Sequence, residues 1–266
     1  MIKVMIFLRS TIFNLLFYGL NIIACLLCLP GLLLSDKGLF VIIRTYLKTI
    51  YYLEKYILGL DYEVRGAENL PSHDSYIVAA KHQSQYETFK LHLLFLNPAI
   101  VLKKELLSIP IWGKFLSRIK PIAIDRSKGK KAMNQIEDAA AQIKEQNRQI
   151  VIFPQGTRVY PWQTAKDKPY KAGIARIQAR TEMPIIPLAL NSGLFWPRSG
   201  WIKYPGKVIF EFQPAIKPDE NRKNILKQVE QIVESRSEAL QAEAMTKAPY
   251  LPAYPNKKSP ESKTVS

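Results

Sequence analysis

From residue 61 onward, short apolar runs alternate with stretches whose apolar residues recur at helical spacing. The runs at 62–65, 76–80, 99–102, 121–124, 150–153, 185–190 and 208–212 are rich in Val, Ile, Phe and Tyr and are bounded by turn residues, which predicts strands. Helices are predicted over 85–96, 130–146, 173–180 and 219–246. Strands alternating with helices predict an α/β fold, a central mostly parallel sheet flanked by helices.

The amino-terminal pattern is different. No charged residue occurs between positions 11 and 34, a stretch exceeding the roughly 20 residues that cross a bilayer core. It is too long for the apolar core of a cleaved signal peptide, and no small-x-small site follows Leu34, so the segment is expected to be retained. Asn14, Asn21 and Pro30 interrupt it, which predicts a membrane-binding helical hairpin dipping into one leaflet with both ends cytoplasmic. Over 39–58, Arg44, Lys48 and Lys55 fall within about 40° of one another at 100° per residue. Ile42, Ile43, Tyr46, Ile50, Leu53 and Ile57 take other faces, the pattern of a basic helix lying in the head-group layer. Three regions follow: membrane-anchoring helices over 1–60, a catalytic domain over 61–246, and a proline-rich, polar tail over 247–266 predicted to be disordered.

A length of 266 residues with 47% hydrophobic residues suits one sizeable domain plus an appendage. The formal net charge of +16 predicts attraction to a polyanion, and the apolar amino terminus selects a lipid surface over nucleic acid. A stacked aromatic and basic motif of the RNA-binding kind is missing as well. Cys25 and Cys28 have C-x-x-C spacing but lie in the apolar segment without a histidine or carboxylate beside them, so they are assigned to packing. The remainder of the chain has no cysteine to form an acyl-enzyme.

Three segments carry candidate chemistry. The first is His82-Gln83-Ser84-Gln85-Tyr86-Glu87, between a strand and a helix. A histidine oriented by a carboxylate can take a proton from an alcohol. Ser84 and Glu87 also match a capping box, which puts His82 just outside the helix and lets it meet an acid five positions on. The second is Asp125-Arg126, closing an apolar strand where ligands of α/β sheets collect. Arg126 can grip a phosphate there, and a simple salt bridge of Asp125 is the plainer alternative. The third is Phe153-Pro154-Gln155-Gly156-Thr157-Arg158: the strand breaks at Pro154, Gly156 lets a ligand approach the backbone, and Thr157 and Arg158 offer donors to an anion.

Together with the apolar, proline-containing run Met183-Pro184-Ile185-Ile186-Pro187-Leu188, these segments resemble the glycerolipid acyltransferase family, and within it the bacterial 1-acylglycerol-3-phosphate acyltransferases. Order and spacing agree over roughly residues 60 to 215. Two positions depart from the family pattern: Glu87 stands for the usual Asp, and Gln155 for the usual Glu. The resemblance implies acyl transfer from acyl-CoA or an acyl carrier protein to the sn-2 hydroxyl of lysophosphatidate, giving phosphatidate. His82 would be the base and Glu87 its orienting partner. Arg126, Arg158, Lys104 and Lys103 would bind the acceptor phosphate, with Lys104 favoured over Lys103. Gln155, Gly156 and Thr157 would position the substrate. No cofactor beyond the thioester is expected, and no metal, because His73 and His92 lack a ligand set. The expected partners are membrane phospholipids, lysophosphatidate and the acyl donor; the expected location is the cytoplasmic side of a bacterial inner membrane. The alternatives are a different acceptor, glycerol 3-phosphate or another lysophospholipid, and a non-catalytic membrane-surface protein retaining the fold.

Overall fold

The structure is a computed structural model that describes residues 1–27, 34–72, 74–125, 127 and 129–252. His73, Arg126, Cys28 and Pro30 lie outside the described residues. Seven strands form one sheet: β1 Leu60–Arg65, β2 Ile77–Ala80, β3 Ala99–Lys103, β4 Ile122–Ile124, β5 Ile150–Ile152, β6 Ile185–Leu190 and β7 Gly206–Phe212. Their order is β1-β7-β6-β2-β5-β3-β4, and every neighbouring pair is parallel except β6 with β7.

The central strands read as continuous apolar runs because both faces of the sheet are covered. Along β2, Ile77 and Ala79 enter one core cluster while Val78 and Ala80 enter the other. The Ile77 side packs on α5 (Gly129–Glu145), α6 (Gly173–Thr181) and α8 (Arg222–Lys247), whose Ile136, Ala140, Ile174, Ile177 and Val229 are buried. The Val78 side packs on α3 (Tyr86–Leu94) and the amino-terminal helices α1 (Ile2–Leu27) and α2 (Asp36–Leu53). Among the described residues there are also two short α-helices, α4 (Trp112–Arg118) and α7 (Ser192–Phe195).

The hairpin at the amino terminus is built differently from the sequence expectation. Asn14 and Asn21 lie inside a continuous α1 and do not break it. Asn21 Oδ1 accepts a hydrogen bond from Tyr46 of α2 at 2.7 Å, and Arg9 lies 3.3 Å from where a side chain on Gly59 would begin, so α1 and α2 run antiparallel. The polar face of α1 docks on the domain. Ser10 and Asn14 are buried and bond the chain around Trp201 and Lys203. The opposite face is apolar and exposed, with Leu8, Leu15 and Ile22 each more than half exposed at seven-residue spacing.

The basic face drawn along 39–58 is also interrupted. A π-helical turn, Glu54–Leu58, follows α2 and shifts the helical phase. Lys55 is turned to pair with Asp61 at 2.8 Å, and Glu54 is turned inward. There its carboxylate meets the Lys90 ammonium of α3, both wholly buried. The ammonium also lies 4.4 Å from the Tyr86 ring centre and 5.1 Å from that of Tyr51. Burial pushes the Glu54 carboxyl up to about 7 against the pull of Lys90, and burial lowers Lys90. This pair fastens the end of the amino-terminal helices to α3.

The carboxyl terminus corrects a second expectation. Residues just past α8 are packed: Ala248 and Leu251 are buried, and Tyr250 donates to the Pro205 carbonyl at 2.9 Å. The rest of the expected tail, 253–266, lies outside the described residues.

Removing one member of the buried pair leaves an uncompensated charge, so Glu54→Ala should cost about 3–5 kcal/mol. The double replacement Glu54→Leu with Lys90→Met should be within about 1 kcal/mol of the wild type or more stable. Denaturant unfolding of the detergent-solubilised chain measures both; a double variant as unstable as the single one would contradict this assignment.

Candidate active site

Four parallel neighbours, β2, β5, β3 and β4, point their carboxyl ends to one edge of the sheet. That edge collects the motifs: His82 two residues after β2, the 153–158 turn directly after β5, Lys103 ending β3, and Asp125 directly after β4. Ligands of open α/β sheets gather at such edges.

His82 and Glu87 meet. His82 Nδ1 lies 2.8 Å from Glu87 Oε1, and the same oxygen accepts the backbone N–H of Gln83 at 2.8 Å and of Ser84 at 2.7 Å. Oε2 accepts the Ser192 hydroxyl at 2.7 Å. Glu87 is completely buried, and each oxygen has a donor. A carboxylate acceptor places the imidazole proton on Nδ1. Nε2 is left as an acceptor, and among the described residues no group donates to it. The imidazole is further fixed by stacking on Phe153, ring centres 4.1 Å apart and planes at 19°.

The capping box is half formed. Glu87 reaches back to the Ser84 N–H, but Ser84 Oγ accepts from Tyr86 at 3.1 Å, and the helix begins at Tyr86. This tight turn is held from three sides. Gln83 donates to the Leu190 carbonyl at 3.2 Å and accepts from Gly193 N–H at 3.0 Å. A Cβ on Gly193 would come within 2.9 Å of Gln83 and Pro161, so only glycine permits that approach. Buried Lys81 pairs with Glu234 of α8 at 2.8 Å and donates to the Pro161 carbonyl at 3.2 Å. Val159 N–H donates to the His82 carbonyl at 2.7 Å, which joins the first and third motifs directly.

His82 sits in the wall of a cavity of about 1090 Å³. The wall is mainly apolar: Phe17 of α1, Ile42 of α2, Phe89 of α3, Phe115 of α4 and Met133 and Ile136 of α5. At its polar end stand His82, Gln85, Gly156, Thr157 and Arg158. Gly156 has φ +73°, a turn conformation that glycine adopts without strain.

The other predicted residues distribute unevenly. Lys103 lines the cavity, whereas Lys104, the favoured lysine, opens a 3-10 turn, is exposed, and is not part of the wall. Gln155 is buried and stays outside the wall formed by Pro154, Gly156 and Thr157, and among the described residues neither polar atom of its side chain has a hydrogen-bond partner. Gln155 therefore does not line the cavity, although its neighbours Pro154 and Gly156 do. Asp125 accepts from the Ser127 N–H and hydroxyl at 3.2 and 2.5 Å, closing its own loop. Arg126, as stated, lies outside the described residues.

His92 and Cys25 line the cavity. Burial, reinforced by the charge of Arg148, holds His92 down to about 4, so it is a neutral wall residue. No group of three or more His, Cys, Asp or Glu suited to a metal ion occurs among the described residues. Ser192, Gln83 and Lys81 were not singled out in the sequence. Ser192 follows β6, and only the pairing of β6 with β2 brings it to Glu87. A serine in that position has no local signature.

A family model described as Acyltransferase matches residues 61–191. A 1-acyl-sn-glycerol-3-phosphate acyltransferase of Pseudomonas aeruginosa is 33% identical over 225 residues, which cover 85% of this chain and 84% of that protein. A protein of the same name from Saccharomyces cerevisiae is 32% identical over 187 residues, 69% of this chain and 59% of the yeast protein. Among solved structures, the 1-acyl-sn-glycerophosphate acyltransferase PlsC of Thermotoga maritima superposes with a TM-score of 0.68 at 22% identity, over 88% of this chain and 97% of that one; this match shows the fold. With the His82–Glu87 pair, the 153–158 turn and the apolar cavity on one sheet edge, and a relative this similar along most of its length, the chain belongs to the acyltransferase family.

Proposed function

We propose that this protein transfers a fatty acyl group from a thioester, acyl-CoA or acyl carrier protein, to the sn-2 hydroxyl of 1-acylglycerol 3-phosphate, giving phosphatidate for phospholipid synthesis. The observation that carries the proposal is a histidine with a free Nε2, oriented by a buried carboxylate, at the polar end of a large apolar cavity. The acceptor class follows the names of the relatives from Pseudomonas aeruginosa and Saccharomyces cerevisiae.

His82 Nε2 takes the proton of the acceptor hydroxyl as its oxygen attacks the thioester carbonyl carbon. Glu87 offsets the imidazolium charge that forms. The tetrahedral intermediate collapses with cleavage of the C–S bond, and the departing thiolate receives the proton from His82. The products are the ester and the free thiol, and the enzyme returns to its starting state. No acyl-enzyme or bound cofactor takes part. The cavity houses acyl chain, whose burial holds the ester carbons against the dyad. Arg158, in the same wall as His82, binds the acceptor phosphate. Gly156 and Thr157 shape that end of the wall.

The exposed face of α1 lies in the head-group and upper acyl layer of the membrane, and the antiparallel α1–α2 pair keeps both of its ends on one side. The membrane is the bacterial inner membrane, and the domain lies on its cytoplasmic side. Lysophospholipid then enters the cavity between α1, α2 and α3 from the bilayer, without crossing water.

Purified full-length protein in phospholipid nanodiscs, given labelled palmitoyl-CoA and a panel of lysophosphatidate, glycerol 3-phosphate and other lysophospholipids, should form phosphatidate from lysophosphatidate. His82→Ala should lower kcat about 10³-fold with unfolding temperature retained, in keeping with general-base contributions. In Glu87→Gln the amide oxygen keeps the three N–H donors and the amide nitrogen can donate to Ser192, so the site retains its shape and loses a charge. That variant should lose about 10- to 100-fold in kcat with little loss of stability. Full activity in His82→Ala would sink the proposal.

Membrane seating has its own test. Leu8→Lys with Leu15→Lys alters only exposed positions of α1 and removes on the order of 3 kcal/mol of apolar burial in lipid. Flotation with phosphatidylglycerol-containing vesicles should fall at least tenfold at unchanged detergent stability; undiminished flotation would contradict the seating of α1.

A further inference from the structure

Beside the apolar cavity lies a second, smaller one of about 250 Å³, and it is polar. Phe17, Tyr18, Gln85 and Arg158 line both, so the two cavities are neighbours and share Arg158. The small cavity is closed by Asn14 of α1 and by the chain from Trp196 to Lys203 between α7 and β7. Among the described residues three cations face it, Arg158, Arg198 and Lys203, and no carboxylate does.

None of the three cations has a carboxylate within ion-pair distance among the described residues. The arrangement is most telling at Lys203, which is only 6% exposed. Its ammonium donates to Asn14 Oδ1 at 2.7 Å and to the Trp201 carbonyl at 3.3 Å, and it lies 5.2 Å from the Trp196 ring centre. Burial lowers it to about 8, still above neutral pH, so it carries its charge there. Arg158 spends one contact on the Arg198 carbonyl at 3.4 Å, and Arg198 lies over the Tyr160 ring at 5.6 Å. Holding like charges together in a partly dry pocket is unfavourable unless an anion completes it.

We infer that this cavity is a phosphate subsite, in which Arg198 and Lys203 act with Arg158. The inference rests on the acyl-transfer reading for the source of the phosphate. In a 1-acylglycerol phosphate only a few bonds separate the reacting oxygen from phosphorus. With the hydroxyl at His82 and the acyl chain in the large cavity, the phosphate falls next to Gln85 and Arg158, at the entrance to the small one. In an acyl-CoA the nearest phosphate lies at the far end of the pantetheine arm, well beyond that reach. The acceptor's phosphate is therefore the occupant. The subsite exists only because α1 is docked. Ser10 donates to the Lys203 carbonyl at 3.0 Å and accepts its N–H at 2.9 Å, and Asn14 orients the ammonium. Membrane anchoring and phosphate recognition share one helix.

The test uses the full chain in detergent and Arg198→Ala, an exposed position that leaves the core intact, with Arg198→Lys as the conservative control and Lys203→Met as a second variant. Arg198→Ala should raise KM for lysophosphatidate at least tenfold, with kcat and KM for palmitoyl-CoA within about twofold, and Arg198→Lys should recover part of the loss. Independently of turnover, sn-glycerol 3-phosphate but not glycerol should raise the unfolding temperature of the wild type, and the rise should vanish in Arg198→Ala. A rise in KM for palmitoyl-CoA alone, with a stabilisation given only by coenzyme A, would assign the subsite to the donor's phosphates. If neither phosphate stabilises the wild type, or the variants match it in both KM values and both shifts, the subsite is overturned. A wild type that binds glycerol 3-phosphate through Arg198 yet acylates no lysophosphatidate would instead overturn the acyl-transfer reading alone.

Discussion

One buried carboxylate organises the catalytic edge of this molecule. Glu87 has no solvent to satisfy it, so its two oxygens collect the His82 imidazole, two backbone N–H groups and the Ser192 hydroxyl. Each partner comes from a different structural constraint. The backbone donors belong to the turn between β2 and α3, and Ser192 arrives because β6 pairs with β2. A charge buried this way is tolerable only when fully bonded. The geometry that satisfies Glu87 is thus the geometry that aims His82, and in the proposed reaction the same contacts would serve stability and catalysis.

The helix carrying Glu87 is in turn held by the amino-terminal helices. Three residues on from Glu87, Lys90 pairs with Glu54 inside a ring of tyrosines. The π-helical turn that buries Glu54 is what separates α2 from β1 at the right phase. On the other side α1 spends its polar face on the 201–203 segment and keeps an apolar face outward. The apolar cavity lies between these attachments, and α1, α2 and α3 all contribute to its wall.

Much of this was legible in the sequence, for identifiable reasons. All seven strands are where the apolar runs put them, because two-sided burial leaves a continuous Val and Ile signature. His82 and Glu87 were legible as a pair because their contact is local. Lys81, Ser192, Arg198 and Lys203 were not, since each works through partners far along the chain: Glu234, Glu87, Arg158 and Asn14. Local polarity also misled. Asn14 and Asn21 read as breaks in an apolar helix, yet asparagines inside a helix can equally be its docking points, and here they are. Lys103 and Lys104 are adjacent in sequence, where polarity alone does not separate them, and of the two it is Lys103 that lines the cavity. Alternation in the 39–58 segment assumed a constant helical phase, and one π-helical turn undoes that assumption.

The central claim is that Glu87 fixes the His82 proton on Nδ1 and leaves Nε2 free to accept one. Nitrogen-15 NMR of histidine-labelled protein in detergent micelles tests it most directly. The chain has 3 histidines, and the His82→Ala spectrum assigns the signal that disappears. Near neutral pH and without substrate, the account predicts for His82 a protonated, hydrogen-bonded Nδ1 and an unprotonated Nε2. A His82 ring protonated on Nε2 alone would contradict it.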